Sequence, residues 1–298
     1  MNTILCVGRA VWDRIFYVHS LPLVPGKVSA LQYKEAGGGP AATAAVTIAR
    51  LGGNSILWSK VGDDNTGRSI AQELSMYGVD ISEICIVPKA KSSVAAVLVD
   101  NRGERGIAAY SDCNLYSSTD PLPETLPANT NMILADIRWP EGAHYSFTLA
   151  QELSIPTVLD IEKTDYPNLE ELISLATYAV FSEDGLKSFT QETDLTLALH
   201  KVACVCHGTV CVTVGDKGCV WLEGKIVRTQ QSFKVEPIDT TGAGDVFHGA
   251  LALCLSCNSN FEEAARFASA AAALKCTKSG GREGIPDGKI LLDFLKRN

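Results

Sequence analysis

The chain has 298 residues, 46% of them hydrophobic, enough to bury a sizeable core in one large α/β domain or two smaller ones. Its 26 Lys and Arg against 34 Asp and Glu give a net charge of −8, and the basic residues are scattered, which argues against a nucleic-acid partner. No apolar run approaches the roughly 20 residues that cross a bilayer. Met1-Asn2-Thr3-Ile4-Leu5-Cys6-Val7-Gly8 lacks the basic start and cleavage site of a secretory signal, so a soluble, cytoplasmic protein with no membrane partner is expected.

Those first residues read instead as a buried strand over residues 4–7. A helix follows over 40–51, with Pro40 at an N-terminal helical position and Gly52-Gly53 as its stop. Further strands are predicted over 55–61, 131–135, 157–160, 178–181 and 210–214, and further helices over 67–77, 142–153 and 195–204. Short apolar strands alternating with helices imply a mostly parallel sheet covered on both faces. Two segments break the rhythm, 14–19 with 28–33 and 93–100 with 106–110: each reads as two strands without a helix between them. Such pairs are expected to form a small β-lid, from segments at about 14–35 and 90–112, over the carboxyl ends of the parallel strands. From Gly242 onward the pattern is helical, over 242–257, 262–276 and 287–296, and no linker or repeat divides the chain. A single domain spanning 1–298 is expected.

The ten cysteines include one C-x-x-C, Cys254 and Cys257, which lies in an apolar run without a second pair or flanking His. They read as buried, reduced thiols.

The chemistry concentrates at Asp239-Thr240-Thr241-Gly242-Ala243-Gly244-Asp245, where an extended stretch turns into a helix. The first N–H groups of a helix lack internal partners and carry the positive end of its dipole, and small residues leave them uncovered. They make an anion site. An acid in that first turn either caps the helix or, with a phosphoryl group held by the amides, takes a proton from a hydroxyl. The first strand ends near Gly8, but Arg9-Ala10-Val11-Trp12-Asp13 contains no Gly-x-Gly-x-x-Gly, which discards a nicotinamide oxidoreductase.

The stretch from Asp239 through Asp245-Val246-Phe247-His248-Gly249-Ala250 resembles the C-terminal signature of the PfkB, or ribokinase-like, carbohydrate kinases. Gly37-Gly38-Gly39-Pro40-Ala41-Ala42-Thr43-Ala44 is similar to that family's glycine-rich sugar-binding stretch, and Val61-Gly62-Asp63-Asp64-Asn65-Thr66-Gly67 to its next segment. The resemblance spans nearly the whole chain. It implies a ribokinase-like three-layer α/β fold with a β-lid, ATP and Mg²⁺ as cosubstrates, and Asp245 as the base that activates a sugar hydroxyl. Gly242, Ala243 and Gly244 would form the anion hole, Asp13 would bind sugar hydroxyls, and Gly38 and Gly39 would line the sugar site. Ser182, Thr213, Gly215, Gly218, Thr241, Lys275 and Gly280 would lie on the nucleotide side. Asp239 and Thr241 match positions that in many members help hold a monovalent cation such as K⁺, and relatives often form homodimers through the lid, where Ile15, Phe16 and Tyr17 would supply apolar contact.

Two features depart from the family pattern. Ser182-Glu183-Asp184-Gly185 stands where many members carry Asn-x-x-Glu, leaving the Mg²⁺ ligands unassigned between Glu183 and Asp184 and a catalytically silent sensor as an alternative. His248 stands where an Asn is common and reads as a packing residue.

Within the family, Val11-Trp12-Asp13-Arg14-Ile15, Leu134-Ala135-Asp136-Ile137-Arg138-Trp139, Lys275-Cys276-Thr277 and Gly280-Gly281-Arg282 resemble the 6-deoxy-6-sulfofructose kinases, which phosphorylate the 1-hydroxyl. That resemblance implies Arg138 and Lys27 as sulfonate ligands, although each also reads as an ordinary surface charge. Ala109 stands where those kinases have a sulfonate-binding Asn, which keeps other sugars and sugar phosphates open as substrates, among them fructose, fructose 6-phosphate and 2-keto-3-deoxygluconate.

Overall fold

The computed structural model describes residues 2–22, 26–102, 104–116 and 123–298. In chain order these form β1 (Thr3–Val7), β2 (Val11–Tyr17), β3 (Gln32–Gly38), α1 (Pro40–Arg50), β4 (Asn54–Gly62), α2 (Asn65–Met76), β5 (Ile84–Val87), β6 (Val94–Val99), β7 (Arg105–Tyr110), β8 (Thr130–Asp136) and α3 (Pro140–Glu152). They continue with β9 (Thr157–Ile161), α4 (Leu169–Ser174), β10 (Tyr178–Ser182), α5 (Glu183–Thr190), α6 (Leu195–Val202), β11 (Thr209–Thr213), β12 (Cys219–Glu223), β13 (Ile226–Gln230), α7 (Ala243–Ser256), α8 (Phe261–Cys276) and α9 (Gly288–Arg297).

The main sheet has nine strands in the order β13-β12-β11-β10-β9-β8-β1-β4-β5, parallel from β11 to β5, with β12 and β13 added antiparallel at one edge. Strands buried on both faces need apolar residues at every position. Ile4, Cys6, Met132 and Leu134 face a core shared with α1, α2, α7 and α8, while Leu5, Val7, Ile133 and Ala135 face the core under α3 to α6. The three-layer α/β architecture read from the sequence is the observed one, and every expected helix is present within a few residues.

The second sheet has four strands in the order β3-β2-β6-β7, with both hairpins antiparallel and β2 parallel to β6. Its first hairpin departs from the expected 14–19 and 28–33. The register pairs Val11 with Gly38 and Tyr17 with Gln32, so Asp13 and the glycines are themselves part of the lid sheet. Glycines read as loop in a sequence; here cross-strand pairing overrides that tendency. Residues 23–25 and 103 of the expected lid segments lie outside the described residues.

Ile15 is buried against Ala95 and Val97 inside the lid, which corrects its assignment as a contact residue, and Phe16 packs on Tyr33 with ring centroids 5.0 Å apart. The cysteines are free thiols. Cys6, Cys206, Cys211 and Cys219 are buried, but Cys113, Cys204 and Cys257 are exposed, so uniform burial was too broad an expectation. Among the described residues no helix is long and apolar enough to cross a membrane.

Candidate active site

Gly242 precedes α7 with φ 73°, a left-handed conformation that costs glycine little and turns the chain sharply into the helix. Ala243 N–H donates to Thr240 O at 3.2 Å and Val246 N–H to Gly242 O at 2.9 Å, fixing the turn. Asp245, in the first turn of α7, is partly open to the cleft. Protein surrounds its carboxyl closely enough that burial, reinforced by the charges of Asp160 and Glu162, pushes its pKa up to about 7. His248 lies one turn further along, buried, with Nδ1 3.5 Å from Asp160 Oδ2. Burial pulls the imidazole below its ordinary pKa and pushes the Asp160 carboxyl well above its own. The acids around Asp245 come from β8, β9 and the residue after β9, so chain order does not bring them together.

Asp239 fastens the entry to the turn. Its Oδ1 accepts from Thr241 N–H at 2.8 Å, Thr241 Oγ1 at 2.6 Å and Arg105 Nη2 at 2.9 Å, and its Oδ2 accepts from Gly280 N–H at 2.9 Å. The buried Lys275 donates from Nζ to Asp239 O at 2.7 Å. These donors hold the Asp239 carboxyl below the usual carboxylate range despite partial burial. A monovalent cation at Asp239 fits poorly, because an ammonium and a guanidinium already contact the residue. Thr241, Lys275 and Gly280 thus belong to the frame of the anion turn.

A cavity of about 720 Å³ opens beside that turn, lined by Thr213, Gly215, Gly218, Ala243, Gly244, Ala273 and Cys276, with Phe233 and Ser269 also on its wall. It brings the expected residues of β11 and its turn together with the first residues of α7. Ser182, expected there too, spends its hydroxyl capping α5 by accepting from Gly185 N–H at 3.1 Å, and neither it nor Lys275 nor Gly280 is among the lining residues. Glu183 is ion-paired with Lys187 at 2.6 Å and Asp184 is exposed, so neither is positioned as a metal ligand by a neighbour.

On the opposite side, Asp13 of β2 faces Gly38 so closely that a Cβ at Gly38 would lie 2.3 Å from Asp13 Oδ2. Burial pushes the Asp13 pKa up to about 6, with Arg282 opposing and Glu73 adding to the rise. Arg282, buried, pairs with Glu73 and donates from Nη2 to Gly38 O at 2.7 Å, which holds the glycine stretch in place. Asp136, at the carboxyl end of β8, accepts from Arg9 N–H and Ala41 N–H at 2.9 Å and from Arg138 N–H at 2.8 Å. It joins the loop after β1, the start of α1 and the Arg138 loop. Arg138 itself is half-buried and ion-paired with Glu162. Lys27 and Ala109 are exposed.

Asp136, Glu73, Arg105, Asp160 and Glu162 were not assigned roles in the sequence reading. Asp136 and Asp160 had a signal, since each lies at the carboxyl end of a strand, the edge where α/β folds place their ligands; Glu73 and Arg105 had none, because their ion pairs are with residues distant in the chain, Arg282 and Asp239.

The chain matches the model of the pfkB family carbohydrate kinases over residues 1–288. It is 31% identical over 305 residues to a ribokinase of Haemophilus influenzae, covering 99% of each chain. A fructokinase of Vibrio alginolyticus is 28% identical over 330 residues, again with 99% of each chain covered. Among solved structures, Arabidopsis thaliana ribokinase complexed with ribose and ATP superimposes with a TM-score of 0.86 at 25% identity, over 99% of this chain and 98% of that one.

Proposed function

Because the chain belongs to the pfkB family of carbohydrate kinases, we propose that it transfers a phosphoryl group from ATP to the 1-hydroxyl of 6-deoxy-6-sulfofructose, in the cytoplasmic breakdown of sulfoquinovose. The chain is an ATP-dependent sugar kinase, a phosphotransferase with an alcohol group as acceptor. In this reading ATP lies in the cavity beside α7, bringing Mg²⁺ with it as part of the substrate, and the amides of Gly242, Ala243 and Gly244 hold the charge of the group in transfer. Asp245 takes the hydroxyl proton. A carboxyl near pH 7 is a better base than an ordinary one and is still substantially ionised at neutral pH. Asp13 bonds the sugar hydroxyls and fixes the acceptor against Gly38 and Gly39.

The observation that carries the sulfonate assignment is Arg138, a half-buried guanidinium on the loop fastened by Asp136, at the strand edge that also carries the acids surrounding Asp245. A guanidinium offers a fork of donors to a sulfonate, and Lys27 on the lid adds a second charge. The sulfonate would replace Glu162 as the partner of Arg138. That same pairing with Glu162 favours a second reading, a neutral ketose or pentose, because Arg138 then needs no anionic substrate. Two copies would pair through the lid, whose exposed Leu31, Tyr33, Ile107 and Tyr110 supply apolar contact.

The test is ADP release with 6-deoxy-6-sulfofructose, fructose 6-phosphate, fructose, ribose and 2-keto-3-deoxygluconate. The highest kcat/KM is expected with sulfofructose, and equal or better turnover of any other sugar overturns that assignment.

A further inference from the structure

Lys275 is an unusual place for a charge. It is fully buried, in the last turn of α8, and an isolated buried ammonium is costly enough that it is found paired or not at all. Its Nζ donates to Asp239 O at 2.7 Å and lies 3.8 Å from Asp239 Oδ1. A Cβ built on Gly284 would stand 3.5 Å from Lys275 Cε, so the aliphatic end of the lysine lies beside Gly284. The negative end of the α8 dipole adds to the attraction. Burial pulls the Lys275 pKa down, and Asp239 opposes that pull.

The surroundings connect this charge to catalysis. Ile238 N–H and Asp239 N–H both donate to Cys276 O, at 2.7 and 3.2 Å, so the irregular segment entering the turn is stitched to the residue after Lys275. Arg105 of the lid strand β7 reaches the same carboxylate and also Thr240 Oγ1 at 3.3 Å. Oxygens that would otherwise suit a monovalent cation are therefore satisfied from within the chain.

We propose that the Lys275 ammonium is a built-in monovalent cation, holding the Asp239 backbone so that the anion turn is formed and the kinase works without added K⁺. Lys275 is a positioning residue: it acts through Asp239 and the turn and does not touch substrate. An ammonium and a potassium ion are similar in size and both prefer carbonyl oxygens, so removing the side chain leaves a cage that K⁺ or NH₄⁺ can enter.

The experiment compares wild type and Lys275→Ala in buffers whose only monovalent cation is tetramethylammonium, K⁺ or NH₄⁺. It reads ADP release with the best acceptor of the sugar panel and, without sugar or ATP, the melting temperature. Wild type is expected to change by less than about twofold between buffers, whereas Lys275→Ala loses about tenfold or more in tetramethylammonium and recovers in K⁺ or NH₄⁺. K⁺ is expected to raise the melting temperature of Lys275→Ala and not that of wild type, because a ligand that binds only the folded state stabilises it. K⁺ activation of wild type by about tenfold, or Lys275→Ala at full rate in tetramethylammonium, overturns the proposal. If the variant does not fold, the wild-type series decides, and if no sugar is turned over, the melting series does. Neither arm depends on which sugar is the substrate.

Discussion

On the proposed phosphoryl side of the cleft the parts come from one local turn: Gly242 sets it with its positive φ, Ala243 and Gly244 open onto the cavity beside α7, and Asp245 follows in the first turn of the helix. On the proposed sugar side the parts are charged side chains from separate elements, Asp13 of β2, Arg282 near α9, Asp136 at the end of β8 and Arg138 with Glu162, and Arg282, Asp136 and Arg138 are already hydrogen-bonded or ion-paired within the chain. Amides can act from one local turn. Side chains that recognise a sugar must converge from distant parts of the sequence, and each brings a charge that the protein must balance before any substrate arrives. Damage on the first side should therefore be large and independent of the sugar, and damage on the second side smaller and selective among sugars.

The largest expected effect is at Asp245. Asp245→Asn should lower kcat by about 10²–10⁴-fold with every acceptor while ATP binding persists, measured by ADP release and nucleotide titration. The variant should also be more stable at about pH 8, because a carboxyl whose pKa is raised in the folded state keeps a proton that the unfolded chain releases. With the folded value at about 7, that penalty grows as pH rises from the ordinary carboxylate value of 3.8 to about 7 and is absent below both values. Thermal melts of both proteins should diverge across that window and coincide in acid. The wild-type rate should rise with pH through about 7 as the base ionises.

Gly244→Ala sharpens the comparison from the same side. A Cβ there meets nothing within 4 Å, so the fold should melt as wild type does. Its methyl group would nonetheless intrude where the phosphoryl group sits, and kcat should fall by about 10²–10³-fold, the usual cost of spoiling one anion-hole donor. A small effect would break the assignment of that turn as the anion hole.

On the sugar side, Arg138→Gln should lower kcat/KM for sulfofructose by about 10–100-fold and leave fructose nearly unchanged, as expected from losing a charged hydrogen bond of about 1.5–3 kcal/mol. Equal losses for both sugars would mean that Arg138 serves only Glu162 and the frame. The smallest effect should come from Ala109→Asn, which adds a donor at an exposed lid position and should improve kcat/KM for sulfofructose about fivefold, near 1 kcal/mol.

The two sides also differed in how much of them could be read beforehand. The turn into α7 was legible because all its parts lie within Asp239 to Asp245, and a turn followed by a helix needs only local information. Its fastening by Arg105 and Lys275 was not, since those residues approach from β7 and the end of α8. Asp13 was singled out only through family resemblance; nothing in its own neighbourhood tells that Gly38 packs against it or that burial raises its pKa. The lid was recognised as two strand pairs, but its first hairpin was misplaced toward the carboxyl side on β2 and toward the amino side on β3. The pairing of Val11 with Gly38 depends on contacts across 27 residues and not on local propensity.

The sequence alone therefore determined the layered α/β plan, because strands buried on both faces and helices with one apolar face leave a pattern in the order of residues, and it determined the turn into α7 for the same local reason. Tertiary structure decided what surrounds that turn. It set the raised pKa of Asp245, the Arg138–Glu162 pair and the buried ammonium at Asp239, because desolvation and charge depend on distances in space that chain order does not specify.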